Sequence, residues 1–215
     1  MITKKFEKFG RKEVFALFLI FWIIPYSVVG YFTESMEVNS LPMWVDNYIP
    51  LWTPAILGYA LYFPLCLLTF LIIRDENILR KGIKVFIFTA LVTDLLFLIY
   101  PAYMPKPGLE VANVFDGLVA WVWRVDTNAN AFPSQHVAFA VVCALVLSRA
   151  FKGKALYFVA LATVISVSTM LIKQHYIWDV IGGGLIAIIA YYFVFREKKS
   201  VILDSVALDF ERDDL

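Results

Sequence analysis

The sequence is poor in charged residues, cysteines and histidines, and each shortage excludes a class of protein. Only 17% of the 215 residues are charged, against about 25% in a typical soluble domain, so polar side chains cannot cover the apolar surface. A net charge of +1 gives no basic field for nucleic acid, and we expect no nucleic-acid partner. The two cysteines, Cys66 and Cys143, lie in apolar runs and are interpreted as core residues. With two histidines and no metal-type spacing, the sequence predicts neither a metal nor a cofactor.

Hydrophobic residues are abundant instead, at 61% of the chain. A helix that crosses a bilayer needs about 20 mainly apolar residues. The sequence therefore predicts an all-α, polytopic membrane protein in which a six-transmembrane-helix bundle forms a single domain over residues 1–199. A short cytoplasmic tail is expected at 200–215. The six apolar segments are 14–32, 50–73, 83–103, 134–151, 155–173 and 176–195.

Basic residues occur in alternate loops, and this pattern predicts the orientation of the bundle. Lysine and arginine concentrate on the cytoplasmic side of membrane proteins. The first loop on the other side has Glu34, Glu37 and Asp46 and no basic residue. Both termini are therefore expected in the cytoplasm. The basic residues that support this orientation are Lys4, Lys5, Lys8, Arg11, Lys12, Arg74, Arg80, Lys81, Lys84, Arg149, Lys152, Lys154, Arg196, Lys198 and Lys199.

The long loop at 104–133 is expected on the extracytoplasmic side. Its stretch 111–125 contains Phe115, Trp121 and Trp123 among other apolar residues. One interpretation is an amphipathic helix that lies in the membrane interface, where tryptophan is favoured. The alternative is an irregular loop that is anchored by the tryptophans.

Both histidines fall at the extracytoplasmic ends of predicted helices. His136 follows Pro133 and Ser134, which suit the start of a helix, where free N–H groups attract anions such as phosphate. His175 opens span six, and Asp179 lies four residues later on the same helix face. A carboxylate there can fix one imidazole nitrogen and leave the other free. A histidine held in this way is a nucleophile, and a second histidine across a cleft is a general acid.

Lys106 and Lys173 are expected at the same membrane face, where both could neutralise phosphate oxygens. Each of these residues also has a structural interpretation, since a helix-end histidine or an interfacial lysine is common. The functional interpretation depends on their convergence at one face. Asp94, inside span three, is either functional or, as we favour, a polar residue that packs helices.

Three stretches resemble motifs of the type 2 phosphatidic acid phosphatase superfamily. The block FPSQH at 132–136 is similar to its PSGH motif. The run from Ser168 to Asp179 is similar to its SRxxxxxHxxxD motif, and the block MPKP at 104–107 resembles the end of KxxxxxxRP. The HYxxDV form and the glycines at 182–184 resemble the branch that includes the inositol phosphorylceramide and sphingomyelin synthases. The resemblance covers about residues 104–184.

The resemblance implies a role for each residue that matches a motif. His175 would attack phosphorus and become a phosphohistidine, and Asp179 would orient it. His136 would protonate the leaving oxygen and then activate the acceptor. Ser134 and the neighbouring backbone N–H groups would hold phosphate oxygens. The expected substrate-binding residues are Lys106, Ser134, Gln135 and Lys173.

Four positions depart from the motifs of that family. Ile99 stands at the leading lysine of the first motif, and Lys106 stands at its arginine. Gln135 replaces the glycine of PSGH, and Thr169 replaces the arginine of the third motif. Lys173, one turn from His175, is the candidate replacement for a missing cation. A lysine lacks the bidentate fork of arginine, so the grip on phosphate is expected to differ.

The sequence thus predicts an integral-membrane lipid phosphatase that acts on a lipid phosphate or diphosphate substrate in the membrane. Its active site would face the extracytoplasmic side. A lipid head-group phosphotransferase would use the same residues and is the first alternative. A non-catalytic lipid-binding membrane protein is the second. The sequence indicates neither the lipid, nor the acceptor, nor the oligomeric state.

Overall fold

The computed structural model describes residues 10–127 and 129–196, and these residues form a helical protein. Of these described residues, 73% are helical and none is in a strand. The predicted tail at 200–215 and the basic residues Lys4, Lys5, Lys8, Lys198 and Lys199 lie outside the described residues. The all-α fold class that the sequence predicts is therefore confirmed.

The helices follow one another along the chain with short connections, except for two longer segments at 34–52 and 100–134. Each of these two segments contains a short helix of its own. Two 3-10 helices, Trp44–Tyr48 and Thr53–Ala55, precede the second long helical stretch. The α-helices of the described residues are α1 Arg11–Thr33, α2 Ile56–Ala60, α3 Tyr62–Ile72, α4 Glu76–Ile99, α5 Val114–Val125, α6 Gln135–Ala150, α7 Ala155–Leu171 and α8 Ile177–Phe195.

Four helical stretches of the described chain are long and apolar enough to cross a membrane. They are Arg11–Thr33, Thr53–Ile72, Glu76–Ile99 and Ile177–Phe195. The helices α6 and α7 are apolar but have only 16 and 17 residues. At ~1.5 Å per residue each is about 25 Å long, which is shorter than the ~30 Å hydrocarbon core. The structure supports a membrane protein with four candidate spanning helices and does not confirm the predicted count of six.

Side-chain caps fix the starts of two helices. The sequence predicts the third span from residue 83, but α4 begins at Glu76 because the Asp75 carboxylate accepts hydrogen bonds from the backbone N–H groups of Asn77 and Ile78. In the long loop, Asn113 caps α5 in the same way. Of the two alternatives for this loop, the structure therefore has the helix.

The end of the bundle opposite the histidines is rich in basic residues. The Arg11 guanidinium donates to the backbone oxygen of Ile73 at 2.6 Å and lies 3.3 Å from the Glu76 carboxylate. The Arg149 guanidinium lies over the ring of Phe195, 5.2 Å from its centroid. The start of α1, the start of α4, the end of α6 and the end of α8 thus carry their cations at this end.

The helix α6 forms the centre of the bundle and contacts α3, α4, α7 and α8. Most of its side chains are buried, and the Phe139 ring stacks on Phe86 of α4 with 3.9 Å between centroids. Large apolar side chains such as Ile24, Leu95 and Ile189 are exposed on the outer helices. Contiguous exposed apolar surface of this kind fits contact with lipid.

A second, smaller apolar cluster stabilises the end of the bundle at which the histidines lie. It joins α2, α5 and the end of α7. Nearby, backbone hydrogen bonds tie three connecting segments to one another. Tyr103 donates to the oxygen of Asn39, Ala102 donates to the oxygen of Ala129, and Ala131 donates to the oxygen of Ala102. The members of the second cluster are Ala55, Ile56, Tyr59, Val119, Val122 and Ile172.

Candidate active site

The starts of α6 and α8 lie against each other, and this contact brings the two histidines together. The backbone N–H of Ser134 donates to the backbone oxygen of Asp179 at 2.9 Å. A Cβ atom at Gly183 would lie 2.2 Å from the backbone oxygen of Ser134, so only glycine permits this approach. As a result, Nε2 of His175 lies 3.5 Å from Nδ1 of His136.

The other nitrogen of His175 faces two acceptors. Its Nδ1 lies 2.9 Å from the backbone oxygen of Ala131 and 3.5 Å from the Asp179 carboxylate. A carbonyl oxygen only accepts, so Nδ1 carries a proton and the neutral imidazole has its lone pair on Nε2. His175 is 4% exposed and Asp179 is 1% exposed, so water does not compete for these contacts.

Asp179 also caps α8. Its Oδ2 accepts from the backbone N–H of Tyr176 at 2.7 Å, while Oδ1 is buried and has no hydrogen-bond partner within the described part of the chain. From the sequence, Asp179 alone is expected to orient His175. In the structure, the closer partner is the Ala131 carbonyl, which leaves no signal in a sequence pattern because every residue has one.

Lys106 reaches the site from the loop before α5. Its ammonium donates to the backbone oxygen of Lys173 at 2.8 Å and to the side-chain oxygen of Gln174. Burial lowers the pKa of Lys106 to about 8, although the negative charges of Asp126 and Asp179 oppose that shift. Lys106 therefore carries a positive charge at neutral pH and loses it at mildly alkaline pH.

The side chain of Lys173 is engaged by the segment before α2. Its ammonium donates to the backbone oxygen of Ile49, and burial lowers its pKa. The residue has a φ of 57°, in the left-handed region, where it completes the turn between α7 and α8. Its contribution at the site is the backbone carbonyl that holds Lys106.

Ser134 and Gln135 lie beside the histidines but are engaged elsewhere. The Ser134 hydroxyl caps α6 by accepting from the backbone N–H of Val137 at 3.3 Å. The Gln135 amide donates to the hydroxyl of Thr93 at 2.7 Å and to Asp94 at 3.0 Å, so it faces α4. The second oxygen of Asp94 is buried without a hydrogen-bond partner among the residues that the structure describes.

Two tyrosines that the sequence analysis does not single out pack against His136. The Tyr59 hydroxyl lies 2.9 Å from Nε2 of His136, with 5.0 Å between the ring centroids. The Tyr62 ring is 4.7 Å from His136, but its hydroxyl accepts from the indole N–H of Trp22. Both tyrosines fall in an apolar span, where an aromatic residue is expected to be part of the core.

A polar chain extends from Lys106 toward α1. The Gln174 amide donates to Oδ2 of Asp126 at 3.0 Å, and the hydroxyl of Tyr26 donates to Oδ1 of the same carboxylate at 2.5 Å. Asp126 closes the end of α5 and lies in the long loop without any motif around it. The sequence therefore gives no signal for this contact between the loop and α1.

A cavity of about 330 Å³ opens beside His136 between α1, α2, α3 and α5. Apolar side chains form most of its wall, and Asp126 and His136 are the charged or chargeable groups apart from tyrosines. A hydrocarbon chain fits such a surface. Over residues 10–127 and 129–196, no group of three or more His, Cys, Asp or Glu side chains is arranged to hold a metal ion. The apolar lining includes Trp22, Ile23, Phe63, Trp121, Val122 and Val125.

The arrangement brings two imidazoles and an ammonium group into one part of the molecule. Nε2 of His175 presents a lone pair, Nδ1 of His136 faces it, and the Lys106 ammonium is held nearby through Gln174. The first N–H groups of α6 add a partial positive charge. This set suits the transfer of an anionic group from a leaving oxygen to a histidine.

Comparisons with known proteins identify a family that matches most of the chain. The family model of the PAP2 superfamily matches residues 36–193. An uncharacterized protein of Methanocaldococcus jannaschii is 33% identical over 114 residues, which is 53% of this chain and 46% of that protein. The chain thus spans about half the length of this curated relative. No solved structure matches the chain.

The family match extends well beyond the motifs at 104–184. It does not distinguish the branch of the inositol phosphorylceramide and sphingomyelin synthases from the rest of the superfamily. Membership of the superfamily as a whole supports a phosphatase- or phosphotransferase-type lipid enzyme in the membrane. Because the matched residues make up most of the sequence, the chain belongs to the PAP2 superfamily.

Proposed function

We propose that this protein is an integral-membrane phosphatase that hydrolyses a lipid phosphate or diphosphate through a phosphohistidine at His175. The observation that carries the proposal is the 3.5 Å approach of Nε2 of His175 to Nδ1 of His136. The fixed proton on Nδ1 of His175 leaves Nε2 as the nucleophilic atom. Family membership supports the same class of reaction.

In the first step, the lone pair on Nε2 of His175 attacks phosphorus, and the bond from phosphorus to the leaving oxygen breaks. The protonated His136 gives the proton on Nδ1 to that oxygen, and the lipid alcohol departs from a monophosphate or the lipid monophosphate departs from a diphosphate. The positive charge that develops on the His175 ring is stabilised by the Ala131 carbonyl and the Asp179 carboxylate.

In the second step, Nδ1 of His136 takes a proton from water, and the hydroxide oxygen bonds to phosphorus as the bond to Nε2 of His175 breaks. Inorganic phosphate leaves, and both imidazoles return to their starting protonation states. A phosphoryl group cannot fit between nitrogens that lie 3.5 Å apart. Substrate binding therefore has to separate the two rings.

Positive charge for the phosphate oxygens would come from Lys106 and from the first N–H groups of α6, which follow the cap residue Ser134. Lys173 would act through its backbone carbonyl, which holds Lys106, rather than through its own amine. Gln135 would support the start of α6 from its contact with Thr93.

The proposed topology has six spans in a single domain over 1–199, with both termini in the cytoplasm and the site at the extracytoplasmic side. The cations at the end of the bundle opposite the histidines support this orientation. The short α6 is surrounded by other helices, so it needs less length than a helix in contact with lipid. The apolar cavity beside His136 supports a lipid as the substrate.

A panel of lipids tests this function. Purified protein in nanodiscs would be incubated with phosphatidic acid, with a prenyl diphosphate, and with a phospholipid plus ceramide or diacylglycerol. Release of inorganic phosphate from either of the first two is expected. Formation of a new phospholipid without release of phosphate would identify a head-group transferase and contradict the proposal. Absence of both products would favour a non-catalytic protein.

A further inference from the structure

We propose that Tyr59 is the positioning residue of His136 and keeps Nδ1 of that imidazole directed at the reacting phosphorus. This inference rests on the proposed function, in which His136 is the acid and then the base. The inference is based on the 2.9 Å distance between the Tyr59 hydroxyl and Nε2 of His136.

The Ala131 carbonyl determines which atom donates and which accepts in each hydrogen bond between these rings. The Ala131 carbonyl can only accept, so His175 donates from Nδ1 and presents a lone pair at Nε2. Since this lone pair faces Nδ1 of His136, the proton of a neutral His136 belongs on Nδ1. Nε2 of His136 then carries a lone pair, and the Tyr59 hydroxyl donates to it.

A hydroxyl group suits this position because it can donate or accept. When His136 is protonated, Nε2 also carries a proton and donates to the oxygen of Tyr59. After Nδ1 has given its proton to the leaving oxygen, Nε2 keeps its own proton and the same contact persists. Tyr59 can therefore hold the ring in one orientation through both steps, which a group that only donates or only accepts cannot do.

The surroundings of Tyr59 hold its hydroxyl in place. Tyr59 is 3% exposed and belongs to the second apolar cluster, with Ile56, Val119 and Ile172. The charged or titratable groups whose fields reach His136 are Asp126 at the end of α5, Lys106 in the preceding loop, and His175. Tyr59 makes the hydrogen bond to Nε2, whereas His175 faces the other ring nitrogen.

Tyr62 provides a matched control on the same stretch of chain. Its ring also packs on His136, at 4.7 Å, but its hydroxyl accepts from Trp22. Tyr59→Phe and Tyr62→Phe therefore each remove one buried hydroxyl from a ring that contacts His136. Only the first removes a hydrogen bond to the imidazole.

Nitrogen NMR of the imidazoles measures the proton position directly. The chain has only two histidines, so ¹⁵N-histidine labelling yields two imidazoles, and His175→Ala assigns them. At about pH 8, where an ordinary imidazole is neutral, we expect the proton of His136 on Nδ1 in the natural protein and in Tyr62→Phe. In Tyr59→Phe, the lone pair of His175 still faces Nδ1, so we expect the proton to stay there and the ¹⁵N resonance of Nε2 to shift, because Nε2 loses its hydrogen-bond donor. Tyr62→Phe should leave that resonance unchanged. A His136 spectrum that is the same in Tyr59→Phe and in the natural protein would overturn the inference.

Kinetics supply the second readout. Tyr59→Phe is expected to lower kcat by about 10- to 100-fold, within the range of acid–base catalysis, while KM changes by less than about threefold. A kcat equal to that of Tyr62→Phe would overturn the positioning role. The NMR result does not require turnover, so a natural protein that is inactive but has a Tyr59-dependent Nε2 resonance would support the inference and contradict the proposed function.

Discussion

At the scale of single residues, the site depends on which atom of each side chain carries a proton. His175 has its Nδ1 proton fixed by a backbone carbonyl, and this leaves a lone pair on Nε2, the proposed nucleophilic atom. Lys106 is partly buried among groups that hold its ammonium, and this burial lowers its pKa to about 8. The charge at the proposed phosphate site is therefore sensitive to pH in a range where ordinary lysines are not.

Lys106 gives a prediction for the pH dependence of activity. Below about pH 8 its ammonium is charged and can bind phosphate oxygens, whereas above that pH it is neutral. We predict that kcat/KM of the natural protein falls as the pH rises through about 8. In Lys106→Arg, the fall should move to higher pH, because a guanidinium stays protonated above about pH 12. Steady-state kinetics on the same lipid over this range provide the measurement.

Lys106→Met is the control, since it has a similar length and no charge at any pH. It should lower kcat/KM by at least about tenfold at neutral pH, through the loss of one charge-assisted hydrogen bond. If Lys106→Arg keeps the alkaline fall of the natural protein unchanged, another group is responsible and the role of Lys106 is contradicted.

The sequence alone identifies the side chains of the site better than their contacts. His136, His175 and Asp179 follow from helix-end positions and a four-residue spacing, and the structure brings them together. Tyr59 has no signal, because a tyrosine in an apolar span is expected to pack in the core. The direction of Lys173 depends on a left-handed backbone conformation that a lysine rarely adopts, so no pattern predicts it.

At the scale of helices, the site depends on how closely α8 approaches α6. Gly183 lies against the backbone oxygen of Ser134, whereas the next residue, Gly184, has open space around it. The two positions are adjacent on one helix, so they share the same helix propensity and depth. Their comparison separates the effect of close packing from the general effect of replacing glycine.

We predict that Gly183→Ala lowers the free energy of unfolding by about 1–3 kcal/mol, as overpacking does, and lowers kcat by more than about tenfold. The physical reason is that a Cβ at 2.2 Å from a backbone atom forces the starts of α6 and α8 apart. Thermal unfolding in detergent and lipid hydrolysis measure the two effects.

Gly184→Ala should keep the activity and stability of the natural protein, because the added methyl group has no neighbour within 4 Å. Equal effects of the two substitutions would contradict the assignment of Gly183 to the close contact.

Helix boundaries were harder to predict than the existence of helices. The apolar segments of the sequence correspond to the helical stretches, but α4 begins seven residues before the predicted span because Asp75 caps it among charged residues. The loop helix α5 was one of two alternatives, and Asn113 provides the cap that forms it. A hydrophobic pattern marks the part of a helix that meets apolar surroundings, not the place where its hydrogen bonds begin.

At the scale of the whole molecule, the apolar segments of the sequence and the lengths of the helices give different numbers of membrane spans. Four stretches meet the length of a bilayer, and α6 and α7 do not. Because α6 is enclosed by other helices, its length is set by its neighbours rather than by lipid. For such a buried helix, the distribution of basic residues in the flanking loops is a better guide to topology than the length of the segment.

Cysteine labelling tests the proposed six spans. The natural Cys66 and Cys143 are buried, so they should give little background. We predict that Glu37→Cys and Glu110→Cys react with a membrane-impermeant maleimide on intact cells. Lys152→Cys should react only after the cells are permeabilised. All three positions are exposed in the structure, so access to water is equal and only the membrane side differs.

Reaction of Lys152→Cys on intact cells, at the rate of Glu110→Cys, would contradict the crossing of the membrane by α6 and α7. A soluble, membrane-permeant maleimide that labels all three variants provides the control for reactivity.

The most direct test of the account is to trap the phosphoryl group on the protein. Brief incubation with a lipid whose phosphate is radiolabelled, followed by an alkaline quench, should leave label on the chain that is lost in acid, as a phosphoramidate is. Mass spectrometry should find the group on His175, and His175→Ala should bind no label and release no phosphate while it remains folded. Label on another residue, or turnover by His175→Ala at the rate of the natural protein, would contradict the assignment of His175 as the nucleophile.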